Sequence, residues 1–191
     1  MNAGVPDDLA AALLTAEERA ALLQAARESI GAHFERRSPR LPALAGGLAE
    51  KRGAFVTLRR PDGELRGCVG LMRSDRPLLE TVARMAVAAA TEDGRFDPVR
   101  ANEVDGLRIE ISALGPLEPI RPGDVEVGRH GLLIGYGSRR GVLLPQVPVE
   151  HGWDRDTFLA HTCVKAGLPD DTWKKPGVEL LGFTATVFGE G

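Results

Sequence analysis

Apolar residues recur along this chain at two spacings, and the changes from one to the other mark its elements. Over residues 15–36, Leu22, Leu23, Ala26, Ile30 and Phe34 fall at helical intervals, and Thr15 with Glu18 fits a capping box. The stretch "RRSPRLPALAGGLAEKRG" (36–53) loses that period to two prolines and a glycine pair, which predicts a loop with one short helical turn. "AFVTLRRPDGELRGCVGLM" (54–72) then reads as a hairpin. Pro61 fixes its own φ, Asp62 tolerates the corner and Gly63 accepts a positive φ, so Pro-Asp-Gly makes the turn. Side chains alternate along a strand, so Leu65, Gly67 and Val69 are predicted on one face and Arg66, Cys68 and Gly70 on the other. With Leu65 and Val69 inward, Cys68 and Arg66 look outward.

Pro77 opens a predicted helix within "DRPLLETVARMAVAAATEDG" (75–94), with Leu78, Val82, Met85, Ala86 and Ala89 as its buried stripe and Gly94 as its stop. "GLRIEISAL" (106–114) alternates as a strand, with Leu107, Ile109, Ile111 and Ala113 inward. "HGLLIGYG" and "GVLLPQV" predict two strands around the turn "YGSRRG". Asp154 caps a helix through Leu168, stopped by Gly167 and Pro169, and "LLGFTATVFGE" closes the chain as one strand. Helices and strands mix without βαβ regularity. The predicted class is α+β, a mainly antiparallel sheet flanked by helices.

Composition adds little to that picture until charge is mapped. A chain of 191 residues, 43% hydrophobic and 27% charged, suits a globular domain that needs no covalent staple. The beginning, "MNAGVPDDLA", lacks the pattern of a signal peptide, and no apolar run approaches the roughly 20 residues that cross a bilayer, so the expected compartment is cytoplasmic. Residues 36–76 hold ten Lys or Arg against four acids, a local charge of +6 in a chain of net charge −3, leaving −9 elsewhere. Such a segment suits an anionic ligand. Nucleic acid is disfavoured, because Phe55 is the only aromatic there to stack on a base.

Cys68 is the first candidate for chemistry. The flanking Gly67 and Gly70 bare the backbone to a ligand, and Arg66 on the same predicted face would stabilise a thiolate. Glu110, on the polar side of its strand, is the candidate base or Arg66 partner if the strands are neighbours. His130, at a strand start, is the candidate imidazole proton carrier; His151 and His161 are weaker ones. Gln146, at a predicted strand end, could fix a ligand through its amide. Cys163 shares a helix face with Leu159 and Ala166 and reads as core. No metal-ligand spacing, phosphate loop or serine-nucleophile elbow is present, so no metal or cofactor is expected.

"LRGCVG" resembles the signature "LRGC[IV]G" of the AMMECR family. The likeness continues through "RFDPV", "IEISAL", "VGRHGLLI", "LLPQVPVEHGWD" and "CVKAGLPDDTW", over residues 16–190, with 1–15 as an N-terminal tail. Bacterial members carry the name AmmeMemoRadiSam system protein A. The resemblance implies an α+β fold with a larger lobe, a smaller lobe and a cleft carrying the signature, and association with a Memo-like and a radical-SAM protein. It implies no reaction. Two functions follow from the residues. One is a cleft enzyme or enzyme accessory protein using Cys68 with Arg66. The alternative is a non-catalytic binding module for an anionic ligand, a protein partner or nucleic acid.

Overall fold

The computed structural model describes residues 14–191, so most of the tail expected at 1–15 lies outside the described residues. In chain order the elements are α1 (Ala16–Phe34), β1 (Ala54–Arg59), β2 (Leu65–Leu71), α2 (Leu78–Thr91), β3 (Arg108–Leu114) and β4 (Glu118–Pro119). They continue with β5 (Gly131–Tyr136), β6 (Arg139–Leu143), α3 (Gln146–Glu150), α4 (Arg155–Lys165), β7 (Glu179–Phe183) and β8 (Ala185–Gly189). The described residues form two compact units, one of 14–114 together with 186–191, the other of 115–185.

The first unit holds a sheet in the order β2-β1-β3-β8. β1 runs antiparallel to both β2 and β3. Its inward residues Ala54, Val56 and Leu58 are fully buried and meet Ile109, Ile111 and Ala113 of β3 in the core, beneath Leu22, Ala26 and Ile30 of α1 and Leu79, Val82 and Ala86 of α2. Each Val, Leu or Ile side chain in this layer contributes about 1.5–3 kcal/mol of burial. α1 begins at the predicted capping box: the Glu18 N–H donates to Thr15 Oγ1 at 3.1 Å and the Thr15 N–H donates to Glu18 Oε2 at 2.8 Å. The 36–53 loop carries its one helical turn at Gly46–Ala49.

The alternation predicted for β2 breaks at one residue. Leu58 pairs with Gly67 and Arg59 pairs with Leu65, so Arg66 is an extra residue, a β-bulge. Gly67 and Val69 face α2 as predicted. Leu65 does not: it lies opposite Arg59, on the other face.

The second unit holds a sheet in the order β4-β7-β5-β6. α4 packs Phe158, Leu159 and Cys163 onto Leu132 and Ile134 of β5. Asp154 caps α4, accepting the Thr157 N–H at 2.8 Å. Two predicted strands are corrected here. "GVLLPQV" remains a strand only to Leu143, and Gln146 starts α3. "LLGFTATVFGE" is two strands, β7 and β8, which part at Thr184 and join different sheets. No helix among the described residues is long and apolar enough to cross a membrane.

Candidate functional site

Both glycines of the LRGCVG stretch are explained by packing. A Cβ on Gly67 would fall on the carbonyl oxygen of Ala89, so α2 rests directly on the β2 backbone there. A Cβ on Gly70 would fall on the Phe55 ring, which covers its partner across the β1–β2 ladder. Neither glycine leaves the bare backbone that a ligand would approach.

Cys68 lies between them on the face turned away from α2, half-buried and outside any disulfide. Its row crosses three strands: Cys68 pairs with Thr57, and Thr57 pairs with Glu110. The Thr57 hydroxyl donates to Cys68 Sγ at 3.3 Å. Glu110 is therefore on the expected face. It is not beside the thiol, because β1 intervenes and places the two strands about 9.5 Å apart.

β2 is an edge strand, and Cys68 sits where its outer edge is closed by side chains rather than by another strand. The Cys68 N–H donates to Asp93 Oδ2 at 2.8 Å, and Arg95 Nη2 donates to the Cys68 carbonyl at 3.3 Å. Arg95 also holds Asp93 through Nε at 2.9 Å and Nη2 at 2.7 Å. This pair imitates one residue of a neighbouring strand. The Arg95 guanidinium, foremost, and then the Cys68 N–H hold the Asp93 carboxyl well below the usual carboxylate range. In return Asp93 raises the Arg95 pKa, and the charge and hydrogen bonding of Cys68 add to that rise.

Arg66 does not serve the thiol. Its side chain is 6% exposed and turns its guanidinium to the segment after α2. It donates to the Asp97 and Pro98 carbonyls at 2.8 and 3.3 Å and to both Glu103 oxygens at 3.0 and 3.2 Å. The bulge produces this outcome, since the extra residue is taken out of the alternation that would have set Arg66 beside Cys68. The guanidinium that reaches residue 68 is that of Arg95, which bonds the Cys68 carbonyl. Sequence reasoning missed Arg95, Asp93 and Thr57. Arg95 opens the "RFDPV" motif, whereas counting back equally from the Pro-Asp-Gly turn sets Val56, not Thr57, opposite Cys68, because the bulge adds one residue to β2.

The remaining candidates belong to the second unit. His130 Nδ1 accepts the Glu126 N–H at 3.0 Å, closing the turn before β5. Burial, and secondarily Arg129, lowers its pKa. Gln146 is the first residue of α3, with its Oε1 buried and without a hydrogen-bond partner among the described residues. His151 and His161 both stack on Trp153, with centroids 4.8 and 3.9 Å from it. Cys163 is fully buried, as read, and burial pushes its thiol pKa up.

Known proteins share this architecture and this sequence. A protein of Methanopyrus kandleri, MK0488, is 45% identical over 192 residues, covering 93% of this chain and 90% of its own. Protein MJ0810 of Methanocaldococcus jannaschii is 43% identical, covering 93% of this chain and 92% of its own. The crystal structure of the uncharacterised protein PH0010 from Pyrococcus horikoshii superposes with a TM-score of 0.77 at 42% identity, over 88% of this chain and 89% of that one. The sequence model of the AMMECR1 family matches residues 23–188, which include β2, the Asp93–Arg95 clamp and both sheets. With its signature strand, its fold and its relatives in agreement, the chain belongs to the AMMECR1 family.

Proposed function

We propose that this chain is a thiol-dependent enzyme, or the thiol-bearing subunit of one, that works on the Cys68–Thr57–Glu110 row. Cys68 is its nucleophile. The observation that carries the reading is the convergence on residue 68 of a hydroxyl donor, Thr57, and a guanidinium, Arg95, which is fixed in place by Asp93. A donor aimed at the sulfur and a cation beside it are the surroundings in which cysteines act as nucleophiles.

A ligand lying over Thr57 has the sulfur on one side and the Glu110 carboxyl on the other. The sulfur supplies an electron pair to an electrophilic atom of the ligand. The leaving group departs with the electrons of the broken bond and takes its proton from solvent water. Arg95 faces the negative charge that gathers at residue 68. The Memo-like and radical-SAM partners implied by the family resemblance belong to this proposal, with joint purification as their test.

Cys163 is sealed in the core, so alkylation reads residue 68 alone. At neutral pH, iodoacetamide is expected to modify Cys68 about tenfold faster than a free cysteine derivative, with the Cys68→Ser variant unmodified. Modification no faster than that of the free derivative overturns the proposal.

A further inference from the structure

We infer that the ligand met by Cys68 carries an anionic group, a carboxylate or a phosphate, held between Arg59 and Arg108; this rests on the thiol reading above. Arg59 and Arg108 are direct partners across β1 and β3. Each stands two residues from the Thr57–Glu110 pair on its own strand, and so on the same face. Like charges directly opposite each other in an antiparallel pair repel. No ion pair among the described residues relieves the repulsion. Arg59 Nη1 reaches only the Gly63 carbonyl, at 3.2 Å, and Arg108 is exposed with no ion pair among the described residues.

The carboxylates close in sequence are occupied elsewhere. Glu64 takes Arg60 at 3.2 Å, Asp62 accepts the Glu64 N–H at 3.0 Å, and Glu103 takes Arg66. Two cations thus remain beside one carboxylate, Glu110. A bound anion is the group that turns this opposition into a clamp, since a guanidinium presents donors matched to carboxylate and phosphate oxygens. Two residues along a strand span roughly 6.7 Å. A ligand with its charge between the arginines therefore sets its reactive atom over Thr57 when the two are separated by about that length.

Two aromatic disulfides of similar size test this. Dithiobis(nitrobenzoate) carries a carboxylate on each ring, and dithiodipyridine is neutral. In both, the Cys68 thiolate attacks one sulfur to form a mixed disulfide, and the other aryl thiolate leaves with the electron pair. Rates are normalised to N-acetylcysteinamide at the same ionic strength. The wild-type preference for the anionic reagent is expected to exceed the reference by about tenfold and to return to it in Arg59→Gln and in Arg108→Gln. Arg60→Gln, on the same hairpin, should leave the preference intact. Inorganic phosphate and acetate at equal ionic strength distinguish the two anion classes by which of them slows the anionic reagent, and competition by neither overturns the inference. Rapid reaction of Cys68 without charge preference, or a preference unmoved by both substitutions, overturns this inference alone. Slow reaction with both reagents overturns the thiol reading and this one with it.

Discussion

Gly67 lies directly beneath Ala89: the space a Cβ at 67 would fill is already occupied by the Ala89 carbonyl oxygen. Backbone cannot swing aside as a flexible side chain does, so any larger residue at 67 must lift α2 from the sheet. Gly67→Ala is expected to cost roughly 3 kcal/mol or more, read as a lowered midpoint in urea unfolding. An unchanged midpoint would show that the helix does not rest on that strand.

Arg66 is a structural anchor, with four hydrogen bonds to the 97–103 segment. A lysine cannot reproduce a bidentate grip and two carbonyl contacts at once. Arg66→Lys should lose about 1.5–3 kcal/mol, because the buried cation keeps only part of the hydrogen bonding that the guanidinium makes. The same variant, below its unfolding transition, should be alkylated at Cys68 at the wild-type rate. A slowed rate in folded protein would return Arg66 to the thiol site.

His130 makes the stability of the fold depend on pH. Its Nδ1 must be unprotonated to accept the Glu126 N–H, and burial lowers its pKa. Unfolded chains carry imidazole at its ordinary value of about 6.5, so in the window below that value the unfolded state binds more protons than the folded state. The contribution is therefore full above about 6.5 and is lost as pH falls through the lower folded value. Unfolding free energies followed from pH 8 to pH 5 should decline over that interval, and His130→Asn, which keeps an acceptor without a titrating ring, should flatten the decline. Parallel curves for the two proteins would remove His130 from the account.

Much of the first unit was legible because its signals are local. Thr15 and Glu18 are three apart and cap their own helix, and the Pro-Asp-Gly turn sets Arg59 opposite Leu65. Alternation then placed Gly67 and Val69 inward and Cys68 outward. It failed at Leu65, because alternation reverses across a bulge and nothing in "LRG" announces one. The same failure moved Arg66 away from the sulfur. The break at Thr184 between β7 and β8 was also illegible, since no proline or glycine marks it and the strands are separated by the sheets they join. Arg95 escaped notice for a related reason. It reaches Cys68 from 27 residues away by closing a strand edge, a relationship that periodicity does not carry.

The most direct measurement is the rate at which iodoacetamide modifies Cys68 at neutral pH in wild type, Arg95→Gln and Arg95→Lys, each confirmed folded. If the Arg95 charge serves the sulfur, the glutamine variant should react at least about fivefold more slowly and the lysine variant should recover much of the loss. Equal rates in all three would contradict the account, leaving the Asp93–Arg95 pair as a clamp on the edge of β2 and nothing more.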